Sequence, residues 1–420
     1  MIYALILFCL TYVFMLIFSK YKPYIALICA VVFVILGYIS FGNILKEIDF
    51  NVLLMITGTM GIVSLFIESK MPDKLSDLII ANVPNVKWMT IALAAFSGIV
   101  SAFVDNVATV LMIAPVCLVI AKKLKVSPIP IVISVSIFSN LEGAATLVGD
   151  TTSILLAGAT KMNFMDFFFY EGKIGLFFIV QLGLIAALFF LYFLQRKNNK
   201  KMKNTGSVVV KDYVPTVLLV LTILTLILFS FIPNKFELTN GIICVSYFVI
   251  GVIIKIIKTK SFKSIIPNLK EIDYETVLLL ASLFVIIGGI KEVGAIDKIS
   301  ELFTSIGSDN KIIMYTLIVF VSVIISAFID NIPYVATMLP VVASISITTG
   351  INPTMLYYGL IIGSTLGGNI TPIGASANIT AIGILSKNGY NVTNKEYFKY
   401  SIPISLAAIF TGYILVLFLF

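Results

Sequence analysis

A motif that occurs twice in this 420-residue chain constrains its fold more than any other feature of the sequence. The segment SAFVDNVATV begins at Ser101, and SAFIDNIPYV begins 225 residues later, at Ser326. The same offset aligns Pro115 with Pro340, Ser139 with Ser364, Gly143 with Gly368, Thr146 with Thr371, and Gly149 with Gly374. An ungapped match over about 50 residues indicates that two homologous halves make up the chain.

Composition places both halves in a membrane. Hydrophobic residues make up 59% of the chain and charged residues only 12%, against about 25% charged in soluble domains. The chain has no histidine, which excludes histidine-ligated metals and serine–histidine catalysis, so we predict neither an enzyme nor a cofactor. The net charge of +8 comes from loop lysines, as in many membrane proteins, and does not indicate nucleic acid.

Apolar segments of about 20 residues predict the crossings of the bilayer. Eight simple spans are expected: 2–19, 24–42, 50–67, 174–194, 214–232, 238–256, 275–291 and 400–420. Residues 88–121 and 312–348 are too long for one span and too short for two, and each carries Asp-Asn at its centre. We predict that these two segments are re-entrant hairpins. Glycines and polar residues interrupt 128–160 and 354–385, which are predicted to be broken helices.

Lysine placement predicts the orientation. The linker 195–213 and the loop 255–270 are rich in lysine and are expected in the cytoplasm, which leaves both termini outside. The fold class is therefore an all-α polytopic protein with two inverted-topology repeats, 1–194 and 214–420. About ten transmembrane helices, two re-entrant hairpins and two broken helices are expected. The predicted location is the plasma membrane of a prokaryote, with the lipid bilayer as the main partner.

Two repeated carboxylates, Asp105 and Asp330, are the strongest candidate site residues. A carboxylate inside a membrane can bind Na⁺ or take up a proton, because its charged form is costly away from water. The alternative is that each aspartate only caps the helix that follows it. Their neighbours Asn106 and Asn331 could complete a Na⁺ site, since an amide supplies an acceptor oxygen.

The breaks supply the remaining candidates, because helix ends at mid-membrane can bind ions. Glu142 and Asp150 have no acidic counterpart in the second half, so they could make the site asymmetric. The other predicted ion- or substrate-binding residues are Thr109, Asn140, Gly143, Thr146, Gly368, Asn369, Thr371, Gly374 and Asn378.

At the Asp-Asn hairpins and the breaks, above all in SAFIDNIPYVATMLPV and GSTLGGNITPIGASANITAIGI, the sequence resembles the ArsB/NhaD ion-transporter superfamily. That group includes arsenite pumps, D-type Na⁺/H⁺ antiporters and the melanosomal P protein, and is distantly similar to divalent anion/Na⁺ symporters. The resemblance implies a fixed scaffold, a mobile region that moves like an elevator, and a homodimer. In the symporters the tips read Ser-Asn-Thr, so Asp105, Val107, Asp330 and Ile332 argue against a citrate or succinate carrier.

Three functions remain open. The first is an ion-coupled secondary transporter that moves a small inorganic anion or an oxyacid such as arsenite, driven by H⁺ or Na⁺. The second is a Na⁺/H⁺ antiporter that uses the buried carboxylates, and the third is an anion channel-like conductance. A Walker motif is absent from the sequence, so neither ATP nor an ATPase partner is expected.

Overall fold

The computed structural model describes residues 1–201, 208–307 and 310–420, and of Ser19 only the backbone. These residues are almost entirely helical, as predicted. The first half contains α1 Ile2–Ile17, α2 Lys22–Ile35, α3 Ile44–Glu47, α4 Phe50–Glu68, α5 Met71–Ala81, α6 Val86–Ser101, α7 Asn106–Leu124, α8 Ile129–Gly143, α9 Thr151–Thr160 and α10 Leu176–Gln195. Single turns of 3₁₀ helix lie at Ser19–Tyr21 and Phe164–Phe167.

The second half repeats this order after the linker. It contains α11 Val214–Ser230, α12 Thr239–Thr259, α13 Ile266–Lys270, α14 Tyr274–Glu292, α15 Ala295–Gly307, α16 Lys311–Ser326, α17 Asn331–Thr349, α18 Pro353–Ile361, α19 Ser376–Lys387 and α20 Asn394–Leu419. A 3₁₀ turn, Phe262–Ile265, precedes α13, and a π-helical turn, Ile362–Leu366, extends α18. The pairs α6–α7 and α16–α17 are the two hairpins, and α8–α9 and α18–α19 are the two broken helices.

The helices form two bodies, and the two halves of the chain contribute equivalent helices to each body. Helix α4 packs along α12, α14 packs along α2, and α1 and α11 flank these pairs; we call these six helices the scaffold. Glycines allow the close contact: a Cβ atom on Gly61 would lie 2.5 Å from the Phe248 ring, and one on Gly289 would lie 2.6 Å from the Phe33 ring. The hairpins and broken helices, with α10 packed against α20, form the second body, which we call the hairpin body.

Three boundaries differ from the prediction. Helix α2 ends at Ile35 rather than at residue 42, because Gly37 adopts a positive φ of 69° that a helix cannot continue through. Helix α20 begins at Asn394, six residues before the predicted 400, because Thr393 and Glu396 form a capping box. Before α10, a short antiparallel pair of strands, β1 Phe169–Tyr170 and β2 Lys173–Ile174, occupies the predicted start of the span at residue 174.

Seven helices in the described residues are long and apolar enough to cross a membrane: α4, α7, α10, α12, α14, α17 and α20. Two of them, α7 and α17, are the inner legs of the hairpins. Helices α1, α2 and α11 are equally apolar but have only 16, 14 and 17 residues. The other five long helices, α4, α10, α12, α14 and α20, account for five of the ten predicted crossings. We interpret α1, α2, α11 and the two broken helices as the remaining five.

Loops collect at two faces. At one face, which we call the linker face, the backbone of Lys87 donates a hydrogen bond to Asn198, and that of Lys211 to Ser69, both at 2.9 Å. The other face, which we call the opposite face, carries the loops 36–49, 161–175 and 231–238 and the carboxyl terminus. The lysine-rich segments predicted to be cytoplasmic therefore share one face of the molecule.

The orientation can be tested by labelling with a membrane-impermeant maleimide. In a variant without the four native cysteines, Asn234→Cys at the opposite face is expected to react in intact cells. Asn199→Cys at the linker face is expected to react only in inverted vesicles, because basic loops are retained in the cytoplasm. Labelling of Asn199→Cys in intact cells would reverse the assignment. Both residues are exposed, so access to solvent is matched between the two variants.

Candidate functional site

Four helices begin at one place in the interior of the protein. They are the inner hairpin legs α7 and α17 and the second halves of the broken helices, α9 and α19, and the first residues of all four line a common cavity. A helix N-terminus carries unsatisfied N–H groups and about half a positive charge. The convergence therefore creates a strongly polar point inside an apolar body.

Aspartates cap three of these four N-termini. Asp105 Oδ1 accepts hydrogen bonds from the backbone N–H groups of Val107 (3.0 Å) and Ala108 (3.1 Å). Asp150 Oδ1 accepts one from Thr151 (2.8 Å), and Asp330 Oδ1 accepts one from Ile332 (3.4 Å). The capping role considered from the sequence is therefore real, and it uses only one carboxylate oxygen of each aspartate.

The fourth N-terminus differs. Helix α19 follows Ala375, which occupies the position of Asp150 in the repeat and has no side chain that can cap. Its first residue, Ser376, lines the cavity and donates a hydrogen bond from Oγ to Asp330 Oδ2 at 3.1 Å. The two broken helices therefore differ at this position: Asp150 caps α9, whereas Ala375 leaves α19 without a side-chain cap.

The cavity has a volume of about 110 Å³ and is reached from the linker face, because Glu271, Asp273 and Thr276 at the start of α14 form its mouth. Its walls come from both bodies: Met60, Val63, Ser64 and Ile67 of α4, and the four helix N-termini with Asp105, Asn106, Val107, Ala108, Asp150, Thr151, Asn331, Ile332 and Ser376. Among these described residues four are acidic and none is basic. The cavity is therefore an acidic pocket between the two bodies.

A buried amide network joins the two repeats behind the cavity. Asn106 Nδ2 donates to Asn140 Oδ1 at 2.9 Å. Asn140 Nδ2 donates in turn to the carbonyl of Thr365 (2.7 Å) and to Asn369 Oδ1 (3.1 Å). Asn140 and Thr365 are equivalent positions of the repeat, so the two halves meet at this point. The network holds the first hairpin tip against the second broken helix.

Asp150 links the tip of the second hairpin to the first broken helix. Its Oδ2 accepts hydrogen bonds from Thr152 Oγ1 at 3.1 Å and from Asn331 Nδ2 at 3.4 Å. Asp150 is also close enough to Asp105 and Asp330 for their negative charges to interact. Asp150 therefore lies between the other two aspartates electrostatically.

The breaks are held by equivalent hydrogen bonds in the two halves. Thr146 Oγ1 donates to the carbonyl of Ala102, and Thr371 Oγ1 donates to that of Ala327. Ser153 Oγ donates to the Gly143 carbonyl at 3.0 Å, and its counterpart Asn378 donates from Nδ2 to the Gly368 carbonyl at 3.2 Å. The side chains of these four residues therefore stabilise the backbone conformation of the two breaks. Gly374 allows the backbone to approach the preceding hairpin closely.

Glu142 lies apart from the cavity. It is buried between α6, α8 and α10, where Gln181 Nε2 donates to its Oε2, and a Cβ atom on Gly98 would lie 2.8 Å from its Cγ. Glu142 is therefore not among the residues that line the cavity. Thr109, also predicted, is fully buried in α7, and its hydroxyl has no hydrogen-bond partner among the described residues.

Residues that sequence reasoning did not select also contribute. Asp273 aligns with Asp49 at an offset of 224 residues, and Lys22 is the first residue of α2. The structure places Asp273 at the cavity mouth and the Nζ atom of Lys22 3.2 Å from Asp330 Oδ2. Within the described residues no three Cys, Asp or Glu side chains converge as a metal-binding group. The predicted Na⁺ ligands are thus split: Asp105 and Asn106 in one hairpin, Asp330 and Asn331 in the other.

Comparisons with known proteins agree with this architecture. The sequence profile of the CitMHS family, described as a citrate transporter, matches residues 12–356. An uncharacterized transporter of Mycobacterium tuberculosis is 27% identical over 405 residues, covering 93% of each chain. A 46 kDa membrane protein of Mycobacterium leprae is 30% identical, covering 74% of this chain and 72% of the relative.

Two further proteins bear on the resemblance and on the fold. The human P protein is 26% identical over 89% of this chain and 54% of its own length, as expected from the likeness to the P-protein branch of the ArsB/NhaD superfamily. The crystal structure of the YdaH transporter of Alcanivorax borkumensis superposes with a TM-score of 0.60, at 14% identity, over 89% of this chain and 86% of YdaH. That likeness shows that the two chains share a fold and confirms the predicted helical membrane architecture.

Proposed function

The chain belongs to the CitMHS citrate transporter family, and we propose that within it the protein is a secondary active transporter that exchanges small cations, H⁺ and Na⁺. The observation that carries this proposal is the cavity in which Asp105, Asp150, Glu271 and Asp273 meet without a basic residue among the described lining. Carboxylates are the usual oxygen ligands of small cations and the usual carriers of protons in membranes.

Charge counting supports a cation. Four helix N-termini contribute roughly half a positive charge each, and Lys22 beside Asp330 contributes one more. Asp105, Asp150 and Asp330 contribute one negative charge each, and Glu271 and Asp273 at the mouth of the cavity add two more. The excess negative charge is expensive in a partly dehydrated cavity unless a cation or a proton neutralises it. Because the three aspartates interact, binding of Na⁺ at one of them would favour loss of a proton from another. This competition is the physical basis of exchange.

The broken symmetry of the structure supports an elevator motion of the hairpin body. Asp273 and Asp49 are equivalent, but only Asp273 lies at the cavity with the hairpin tips. Asp49 instead lies beside Gly158 of α9, on which a Cβ atom would be 2.7 Å from Asp49 Oδ2. In an inverted repeat, the opposite displacement would bring the tips toward Asp49. We therefore interpret the structure as the state open to the linker face.

Free citrate fits this cavity poorly. Citrate carries three negative charges near neutral pH, and the lining offers four carboxylates and no described basic residue to pair with them. The only arginine of the chain, Arg196, follows α10 at the linker face. The argument from the hairpin tips against a citrate carrier is thus consistent with the geometry of the cavity.

A small inorganic anion or a neutral oxyacid such as arsenite is the second candidate, and one observation favours it. The N-terminus of α19 lacks a side-chain cap. Its first residue, Ser376, lines the cavity, so this helix end faces the cavity. Free N–H groups at a helix start bind oxyanions. The protonated aspartates would then allow the anion to enter, which makes its transport dependent on H⁺.

Both candidates can be tested with purified protein in liposomes that enclose a pH-sensitive dye. External Na⁺ is expected to raise the internal pH, since Na⁺ entering by exchange drives protons out, whereas choline at equal concentration should not. Arsenite or phosphate uptake under an imposed pH gradient tests the second candidate in the same vesicles. Oxyanion uptake without any Na⁺ response would favour that candidate. If neither Na⁺ nor the oxyanions change the signal, both proposals fail.

A further inference from the structure

The ion pair between Lys22 and Asp330 crosses from one body of the protein to the other. Lys22 is the first residue of α2 in the scaffold, and Asp330 caps α17 in the hairpin body; the Nζ–Oδ2 distance is 3.2 Å. The two side chains are only 19% and 11% exposed. A partly buried pair is less weakened by solvent than a surface pair, so this contact bears on the position of the hairpin body.

A second contact lies beside the ion pair. The Tyr12 hydroxyl of α1 donates to the Pro333 carbonyl at 2.8 Å and also bonds to Thr337, both on α17. The scaffold thus holds the inner leg of the second hairpin at a point one turn beyond Asp330. Together these contacts define a docking position of the hairpin tip on α1 and α2.

The Lys22 ammonium is the positively charged group beside the Asp330 carboxylate. Asp330 Oδ2 accepts hydrogen bonds from Lys22 Nζ and Ser376 Oγ. Asp330 Oδ1 accepts one from the backbone N–H of Ile332. An aspartate surrounded by donors and one positive charge has its charge neutralised internally. Asp105 differs: it accepts backbone N–H groups, and Asp150 and Asp273 are the charged groups near it.

We propose that Lys22 is a positioning residue that acts as an internal counter-cation, replacing the transported cation on Asp330 when the cavity opens to the linker face. Release of the cation is favoured because Lys22 competes for the same carboxylate. Movement of the hairpin body toward the opposite face separates the pair, and Asp330 then becomes free to bind a new cation. This inference rests on the proposed cation exchange, but the position of the hairpin body can be measured independently of transport.

The first test measures position. Met60 of α4 lines the cavity, so Met60→Cys in a cysteine-free variant reports how often the cavity is open to the linker face. Lys22→Met is expected to slow labelling from that face about ten-fold, the factor that corresponds to 1.4 kcal/mol. Lys22→Arg should restore the rate, and Lys20→Met, which removes a neighbouring exposed lysine, should leave it unchanged. Equal labelling of the Lys22→Met and native backgrounds would overturn the proposal.

The second test measures competition. In liposomes, we take the Na⁺ concentration at the linker face that gives half-maximal exchange and multiply it by the open fraction that labelling measures. This product is expected to fall about ten-fold in Lys22→Met, because the competing ammonium is gone. A merely structural lysine would leave the product unchanged or raise it, and either result would contradict the counter-cation role. Should the native protein move no cation at all, the proposed function fails. The labelling result then still decides whether Lys22 holds the hairpin body.

Discussion

Exchange of Asp105 or Asp330 for asparagine is expected to reduce coupled flux at least about ten-fold, the loss that corresponds to 1.4 kcal/mol of cation binding, while the protein stays folded. Asparagine caps a helix about as well as aspartate, so each variant keeps the cap on α7 or α17 and loses only the charge. The measurement is Na⁺-driven proton movement in liposomes, with thermal unfolding of the same purified samples.

Alanine at the same positions separates the two roles of the aspartates. Asp105→Ala is expected to lose flux and also to lower the free energy of unfolding by about 1 kcal/mol, because the two N–H groups bonded to Asp105 Oδ1 lose their acceptor. Glu301→Gln on α15, exposed and remote from the cavity, is the matched control and should transport normally. Native flux in both asparagine variants would reduce Asp105 and Asp330 to helix caps.

Gly374→Ala is expected to give the largest loss of stability. A Cβ atom at Gly374 would lie 2.6 Å from the Ser326 carbonyl oxygen and 2.7 Å from those of Ala327 and Gly368. These are backbone atoms at the end of the hairpin leg α16 and in the break, and they cannot move aside as a flexible side chain can. Overpacking of this kind costs about 3 kcal/mol, so we expect a much lower unfolding temperature or no folded protein.

Gly383→Ala is the matched control for this substitution. Gly383 lies within α19, nine residues further along the chain, and a Cβ atom there would meet nothing within 4 Å. Alanine in a helix interior is more stable than glycine by about 0.5–1 kcal/mol, so this variant should unfold at the same or a higher temperature. Unfolding temperatures that are equal for Gly374→Ala and the native protein would show that the break tolerates a side chain.

Much of the fold follows from the sequence because it depends on local signals. The predicted hairpin 88–121 corresponds to α6 and α7, which span 86–124, and the predicted 312–348 to α16 and α17, which span 311–349. An apolar run that is interrupted by Asp-Asn is a strong signal, since a capping aspartate marks a helix start even inside a membrane. The repeat followed from an ungapped sequence match. Its inverted topology followed from the number of spans between the lysine-rich loops.

The site was predictable only in part, because its composition depends on contacts between distant elements. Asp105 and Asp150 line the cavity, and Asp330 lies next to it, bonded to the lining residue Ser376. Glu142, from the same motif as Asp150, instead faces Gln181 on α10. Glu142 lies in the last turn of α8, whereas Asp150 caps α9 beyond the break, and no signal in the sequence specifies which face of α8 turns toward the cavity. Lys22 and Asp273 belong to the scaffold, so their approach to the tips depends on the position of the hairpin body.

The ion pair between the two bodies has an electrical consequence. If Lys22 stays with the scaffold while Asp330 travels with the hairpin body, a hairpin body that carries no cation on Asp330 moves one more negative charge through the electric field of the membrane. Each elementary charge that crosses 100 mV changes the free energy by about 2.3 kcal/mol. A membrane potential that is negative at the linker face would therefore drive this form toward the opposite face, while the form with a cation on Asp330 would respond less. Transport would then be sensitive to voltage as well as to ion gradients.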